Sequence, residues 1–214
     1  MKKILKKLLI TVLIIIVIPV LAFALFILYL TVREYKPEDV EILTVTGTED
    51  EKAALVAGNE LTIVTWNVGC GSLGDNADFF MDNGSMVYTA DKERVQTNLE
   101  GLKNSLQGLN PDILMLQEVD EDASRSFHTD ETEYFANAFP GFDHTYAYNF
   151  KVDYIPYLIP PMGHVEAGLM TLSRYGIESA ERIQLPCPFS WPVRVANLKR
   201  CLSVNRIPVE GTDH

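Results

Sequence analysis

The chain has 214 residues and a formal net charge of −11, with 29 acidic residues against 18 Lys and Arg. This acidic balance disfavours a nonspecific nucleic-acid binder, which presents a basic face to phosphates. The three scattered cysteines, Cys70, Cys187 and Cys201, exclude a disulfide framework or a zinc site, and we interpret them as buried small apolar side chains, with one disulfide as the alternative.

The first predicted element is an apolar segment, residues 8–32, that carries no charged side chain. As a helix rising about 1.5 Å per residue, it is long enough to cross a hydrocarbon core of roughly 30 Å. Residues 1–7 form a basic leader, which the positive-inside tendency places in the cytoplasm. The segment therefore predicts a single-pass protein of the cell membrane with a cytoplasmic N-terminus and an extracytoplasmic remainder.

A cleaved signal peptide is the alternative interpretation, because Ala22-Phe23-Ala24 has the small-x-small form of a cleavage site. However, the apolar run continues past Ala24, whereas the apolar core of a signal peptide is only about 7 to 15 residues long. The length of the run favours retention as an anchor.

Residues 33–58 are charged and irregular, and we predict that they form a linker with a short edge strand at residues 40–45. Residues 59–214 have the length of one domain. The β-branched run at residues 61–68 is bounded by glycines on both sides, which indicates its first strand.

A helix is predicted next, because apolar residues recur at alternating spacings of four and three positions, which places them on one helix face. These residues are Val95, Leu99, Leu102, Leu106 and Leu109. Asp91 is placed to cap its N-terminus and Gly108 to end it. Residues 113–118 then form an apolar run ending in Gln-Glu, which is typical of a strand buried on both faces.

The later elements are a helix at 130–138, a strand at 144–150, a proline-containing surface loop at 154–161, and strands at 166–173 and 200–209. A proline-rich stretch joins the last two strands. Strands outnumber helices and are separated by loops long enough to carry a site, which indicates an α/β (α+β) domain.

Three motifs occur along these elements: TWNV at residues 65–68, PDILMLQEV at residues 111–119 and GLMTLSRYGI at residues 168–177. In this order and spacing they resemble the endonuclease/exonuclease/phosphatase superfamily of metal-dependent phosphodiesterases and phosphatases. The resemblance covers residues 61–209. It implies a four-layer α/β/β/α sandwich, of which this chain supplies the N-terminal half after one transmembrane helix.

The resemblance also implies the site. By position it makes Glu118 the ligand of a divalent cation, Mg²⁺ with Mn²⁺ as the alternative, and Asn67 a catalytic neighbour that positions metal or phosphate. Arg200 is implied to neutralise charge near the scissile phosphate, and His164 to contact substrate. Residue chemistry agrees, because Mg²⁺ commonly takes one or two carboxylates together with phosphate oxygens and water.

Each of these residues also has a purely structural interpretation. Asn67 can bond to backbone groups of its glycine-rich turn, and Glu118 can be the solvated end of a strand. Arg200 can be a salt-bridged surface residue, and His164 an ordinary loop histidine.

The family's later motifs, Asn-x-His, Gly-Asp-x-Asn and Ser/Thr-Asp-His, supply its remaining catalytic groups. Residues 212–214 spell Thr-Asp-His, but they fall before the place of the other two motifs, so we interpret them as a turn. We therefore expect an incomplete domain with one apolar sheet face uncovered, and a 214-residue chain that is itself inactive.

The sequence thus predicts a membrane-anchored, extracytoplasmic, metal-dependent phosphodiesterase or phosphatase that is inactive in this form. Its partners are the lipid bilayer and a phosphoester, and the bilayer and the acidic surface favour a lipid head group or a small phosphoester over DNA. The alternative from a different class is a non-catalytic, membrane-anchored binding module that uses its exposed sheet face or open edge.

Overall fold

The structure is a computed structural model that describes residues 2–47, 52–156 and 159–211, without the side chains of Lys2 and Met81. Its helices and strands are α1 (Lys2–Val32), β1 (Val40–Ile42), β2 (Leu55–Val56), β3 (Ile63–Asn67), α2 (Lys92–Gly108), β4 (Ile113–Ala123), α3 (Glu131–Ala138), β5 (Asp143–Ile155), β6 (Gly163–Ser173), β7 (Ser179–Gln184), β8 (Cys201–Arg206) and β9 (Val209–Glu210). The turn predicted at residues 212–214 lies outside the described residues.

Helix α1 unites the predicted leader and anchor, and its length and apolar composition suffice to cross a membrane. Its C-terminal end contacts the domain at two places. The hydroxyl of Tyr29 and Nε of Arg33 donate hydrogen bonds to Oδ2 of Asp153 at 2.8 and 2.7 Å. On the other side, Nε1 of Trp191 donates to Oγ1 of Thr31 at 3.1 Å.

Four strands form the main sheet, in the order β3-β4-β6-β5. Strands β3 and β4 are parallel, and β6 is antiparallel to both β4 and β5. Parallel neighbours cannot be joined by a tight turn, so the chain crosses from β3 to β4 through α2. Strand β3 ends at Asn67, which pairs with Gln117 in the middle of β4, and β4 continues to Ala123.

Helices α2 and α3 cover one face of this sheet. Their contact forms the main core, which includes Val95, Leu99, Leu106, Leu114, Leu116, Phe135, Met170 and Leu172. The predicted cap is present, because Oδ1 of Asp91 accepts a 2.8 Å hydrogen bond from the Arg94 backbone N–H. Helix α2 ends at Gly108 as predicted, and Leu109 follows it with 51% of its surface exposed, outside the buried face.

The opposite face of the sheet is only partly covered. Asn205 of β8 bonds to the hydroxyls of Thr145 and Thr171 at 2.7 and 3.1 Å. Further along the same face, Met115 pairs with Thr171 on one side and is 43% exposed. The prediction that residues 113–118 are buried on both faces is therefore wrong at Met115.

A three-stranded antiparallel sheet, β1-β7-β8, packs beside β5, and β2 pairs with β9 in a parallel ribbon. Residues 33–58, predicted as a linker, thus contribute β1 and β2. Strand β7 was not predicted. It is fixed by Arg182, which is 1% exposed and donates from Nε to the carbonyl of Tyr148 and from Nη2 to that of Lys199, both at 2.8 Å.

The α/β fold class and the single apolar N-terminal helix are confirmed. Several boundaries differ, because sheet pairing prolongs strands beyond their local signal. Strand β4 continues to Ala123 beside β6, and β5 continues to Ile155, inside the predicted surface loop.

Candidate functional site

A cavity of about 380 Å³ opens where β3 ends beside the bulge in the middle of β4, and we call it the site cavity. Its polar and charged lining residues are Asn67, Asp82, Gln117, Glu118, Arg125, Asn149 and Arg200. Three of the predicted site residues, which are distant in sequence, are therefore brought to one cavity: Asn67, Glu118 and Arg200.

Asn67 and Glu118 contact each other directly. Nδ2 of Asn67 donates a 2.8 Å hydrogen bond to Oε1 of Glu118, and its Oδ1 accepts a 2.9 Å bond from the Gly69 backbone N–H. The parallel register, which pairs Asn67 with Gln117, places the two side chains at this distance. In the described part of the chain, Asn67 is the only hydrogen-bond partner of the Glu118 carboxylate.

Glu118 is the extra residue of a β-bulge. Gln117 pairs with Leu169 and Val119 with Gly168, so Glu118 has no partner residue on β6. Its φ of 56° lies in the left-handed region, which is costly for a residue with a side chain. Such bulges redirect side chains and are common beside active sites. The bulge lies in the middle of β4, and it directs the Glu118 carboxylate into the site cavity.

A buried pair of charged residues, Arg125 and Asp120, lies next to Glu118 at the wall of the site cavity. Arg125 binds Asp120 through two hydrogen bonds, from Nε at 3.0 Å and Nη2 at 2.7 Å. Burial is the largest single influence and lowers the pKa of Arg125, but the charge and hydrogen bonds of Asp120 together with other neighbouring groups, among them Glu118, outweigh it, so the pKa lies well above its usual value and the guanidinium stays charged. Arg125 therefore contributes a fixed positive charge to the cavity wall.

Glu131 of α3 is fully buried against the same pair. Its Oε2 accepts a 3.0 Å hydrogen bond from the Asp120 backbone N–H, and its Oε1 is buried without a hydrogen-bond partner among the described residues. Burial first, and then the charge of Asp120, raise the pKa of Glu131 well above its usual value. Burial therefore favours the protonated, neutral form of the Glu131 carboxyl in the folded protein.

A family model described as "Endonuclease/Exonuclease/phosphatase family" matches residues 64–210. The chain belongs to this family. The match includes all four predicted site residues, Asn67, Glu118, His164 and Arg200. No curated protein and no solved structure matches the chain significantly.

The donor set of this endonuclease/exonuclease/phosphatase site fits a hard cation held by few protein ligands. Among the described residues, no three His, Cys, Asp or Glu side chains converge on a point where they could hold a metal ion. Besides Asp82, Glu118 offers a carboxylate to the site cavity. Mg²⁺ commonly takes one or two carboxylates, because this ion keeps several waters and binds substrate phosphate oxygens. In the proposed role, the carboxylate that matters is that of Glu118. Asn67 orients that carboxylate through the amide hydrogen bond.

Arg200 immediately precedes β8, and its side chain is exposed at the rim of the site cavity. In the described part of the chain it forms no ion pair, so the salt-bridge interpretation finds no partner there. An exposed guanidinium beside a carboxylate is suited to bind an anion, because it offers a planar set of N–H donors for phosphate oxygens.

His164 lies elsewhere. Its ring nitrogen Nε2 is 3.6 Å from Oδ2 of Asp122 and 3.8 Å from Oε1 of Glu166, and its ring stacks on that of His128. Nδ1 of His128 also contacts Asp122. The structure thus places His164 in a His-carboxylate cluster outside the residues that line the site cavity, and does not bring it together with Asn67 and Glu118.

Three polar cavity residues escaped sequence reasoning: Asp82, Arg125 and Asn149. Asp82 lies in a short 3₁₀ turn within a loop that has no periodic pattern, and Asn149 lies mid-strand in β5. Arg125 follows an acidic run, where a lone basic residue is ordinary. Its role depends on burial against Asp120, for which local sequence carries no signal.

Proposed function

We propose that this chain is a membrane-anchored, metal-dependent phosphoester hydrolase domain of the phosphodiesterase or phosphatase type. Glu118 binds the divalent cation, Mg²⁺ or Mn²⁺, and Asn67 holds the carboxylate in place. Arg200 and the cavity face of Arg125 attract the phosphate of the substrate. The bound cation supplies Lewis-acid polarisation of phosphoryl oxygens.

The observation that carries this proposal is the hydrogen bond between Asn67 and Glu118 at the mouth of a cavity that also presents Arg200. It joins residues of two separate motifs at one point, whereas the structural interpretations of Asn67 and Glu118 require no such contact. The left-handed φ of Glu118 adds to it, because strained backbone that persists at a cavity is associated with function.

The cellular placement belongs to the same proposal. Helix α1 acts as a retained anchor rather than a cleaved signal, and its lysine-rich start stays in the cytoplasm, so the domain is extracytoplasmic. N-terminal sequencing of the protein extracted from membranes tests retention. Recovery of a chain that begins after Ala24 would exclude the anchor.

The cation site is tested by titrating the purified full chain with Mn²⁺ and following free Mn²⁺ by electron paramagnetic resonance, with Mg²⁺ as competitor. Glu118→Gln is expected to weaken binding by about tenfold or more, because it removes the charged ligand. Glu178→Gln, at an exposed glutamate outside the site cavity, is the matched control and leaves affinity unchanged. Equal affinity in Glu118→Gln and the unaltered chain would exclude Glu118 as the ligand.

A second candidate, a non-catalytic membrane-anchored binding module, is supported by the partly uncovered sheet face at Met115. Hydrolysis of bis-p-nitrophenyl phosphate discriminates between the two functions. Turnover that requires Mg²⁺ and is abolished by Glu118→Gln supports the hydrolase, excludes the module as the sole function and overturns the expected inactivity of this 214-residue chain.

A further inference from the structure

A second cavity, of about 430 Å³, lies between α1 and the domain, and we call it the anchor cavity. Its helix wall consists of Phe23, Phe26, Ile27 and Leu30, whose spacing of three and four residues places them on one face of α1. The domain wall is also apolar apart from Asn197 among the described residues. An apolar cavity of this kind does not retain water and accepts apolar ligands.

Contacts on both sides hold the anchor cavity open. On one side, the ring of Phe26 meets that of Tyr154 edge-on, with centroids 6.0 Å apart. On the other side, Nε of Arg194 contacts Oε1 of Glu34 at 2.9 Å, directly after α1 ends. Leu30 is 3% exposed between them. These contacts fix α1 against the domain on both sides of the anchor cavity. The cavity is therefore a feature of the folded protein.

The position of the anchor cavity along α1 indicates what fills it. A bilayer core of roughly 30 Å takes about 20 helical residues, so a membrane-spanning α1 places Phe23 to Leu30 in the leaflet nearest the domain. Val193 of the domain wall and the adjacent Trp191 are each 57% exposed, as expected of residues that meet the membrane interface. At this depth the surrounding medium consists of acyl chains.

The anchor cavity also adjoins the candidate site. Phe150 and Leu198 line both cavities, so they form a shared wall. On one side of this wall the surface is apolar, and on the other side it presents Glu118 and Arg200. A phospholipid has the same division, because its phosphate is joined to its acyl chains through a short glycerol unit.

We propose that the anchor cavity binds one acyl chain of a membrane phospholipid. The phosphate of this lipid then lies on the other side of the shared wall, near Arg200. The phosphate half of this proposal rests on the proposed function, since it makes a phospholipid the substrate class. The acyl half rests on the anchor cavity alone. Both cavities have volumes within the range of small-molecule sites, about 300 to 1,000 Å³.

Photo-crosslinking of the full chain in phosphatidylcholine nanodiscs tests the acyl half. A trace phosphatidylcholine carries a diazirine at the end of one acyl chain, and mass spectrometry maps the adducts. We expect adducts on domain-wall residues such as Met162 and Val195, which are only 5% and 4% exposed and therefore offer little surface to bulk lipid. Their absence, with adducts confined to α1, would overturn the proposal.

Two matched variants on the same helix sharpen this test. Ile27→Trp fills the anchor cavity and is expected to lower domain-wall labelling by about tenfold, whereas Leu28→Trp changes the next residue, at the same depth, on a face that is 56% exposed. Both variants retain an apolar membrane helix. Equal labelling in the two variants would show that the lipid lies outside the cavity and would overturn the proposal.

The phosphate half has its own comparison, with a diazirine-labelled diacylglycerol that has the same acyl chains and no phosphate. We expect its domain-wall labelling to be about threefold or more below that of phosphatidylcholine, because it lacks the group that Arg200 attracts. Equal labelling would overturn the phosphate half. Glu118→Gln is expected to retain the acyl adducts while losing cation binding, so a failure of the metal site is distinguishable from a failure of the acyl site.

Discussion

Oε1 of Glu118 accepts a 2.8 Å hydrogen bond from Nδ2 of Asn67, although the two residues are 51 positions apart in the chain. The parallel strand pairing makes this contact possible, because β3 ends with Asn67 beside Gln117, and the bulge residue Glu118 follows directly on β4. The contact connects the fold to the proposed chemistry. The unit β3-α2-β4 brings an amide and a carboxylate together at the site cavity, where we propose that a cation and a phosphate bind.

The backbone at Glu118 provides the first prediction. At the φ of 56° found at Glu118, glycine is unstrained, whereas alanine is strained. We therefore expect the Glu118→Gly variant to be more stable than the Glu118→Ala variant, by about 1 kcal/mol in free energy of unfolding. Both variants lose the hydrogen bond from Asn67, so their difference isolates the backbone. Urea unfolding in detergent micelles, followed by tryptophan fluorescence, measures it.

An exposed strand position is the control for this pair. Leu202 of β8 is 51% exposed, and there the usual order is expected, with Ala more stable than Gly by about 0.5 to 1 kcal/mol. The same order at Glu118 as at Leu202 would show that the bulge imposes no left-handed strain in solution.

Sequence reasoning predicted the elements whose signal is local. The periodic face of α2, its cap at Asp91 and its end at Gly108 are short-range features, and the structure confirms them. The bulge at Glu118 depends on how β4 pairs with β6, and the burial of Arg182 that fixes β7 depends on carbonyl groups from two other segments. Such pairing has no signature within a single strand.

The site was predictable to the same extent. Two motifs single out Asn67 and Glu118, the family resemblance singles out Arg200 at the start of a strand, and the structure gathers all three at one cavity. Arg125 lacked any such motif, and His164 lies in a separate cluster with Asp122. The inactivity of the chain and the cytoplasmic placement of its N-terminus stay predictions.

A close approach of backbone at Gly168, opposite the bulge, provides the second prediction. A Cβ atom at Gly168 would lie 2.3 Å from the carbonyl oxygen of Ala147, and backbone atoms cannot yield as a flexible side chain can. We expect Gly168→Ala to lower the free energy of unfolding by about 1 to 3 kcal/mol. Gly101→Ala on α2, where a Cβ meets nothing within 4 Å, is the control and is expected to raise it by about 1 kcal/mol. Equal effects at the two positions would contradict the packing at Gly168.

The cysteines provide the third prediction, because all three are free thiols with different surroundings. Burial raises the pKa of both Cys70 and Cys201, and both side chains are buried, whereas Cys187 is half-buried. In the native protein, we expect Cys187 to react with Ellman's reagent in one fast phase. Cys70 and Cys201 are expected to react slowly, because their thiols become accessible only when the fold opens. Cys187→Ala is expected to remove the fast phase. Its survival in that variant would place an accessible thiol at Cys70 or Cys201.

The buried carboxyl of Glu131 provides the last prediction, which concerns pH. Its folded-state pKa is raised, so the folded protein holds this proton at pH values where the unfolded chain has released it. The linked stability is therefore fully present below the unfolded pKa, near about 4.3, and is lost as pH rises toward the folded pKa. Glu131→Gln is neutral at every pH, and we expect it to remove this loss.

The stability advantage of Glu131→Gln over the unaltered chain should therefore be smallest near pH 4 and grow by up to about 1.4 kcal/mol per pH unit above that value. Urea unfolding at pH 4 to 8 measures the difference, and other titrating groups cancel because both chains carry them. Glu133→Gln, at an exposed position on the same helix, is the control. A constant difference across this range would mean that Glu131 is ionised in the fold and compensated by Arg125, whose side chain pairs with Asp120 beside it. In that case the positive charge available to a substrate in the site cavity would be reduced, because Arg125 would balance two carboxylates.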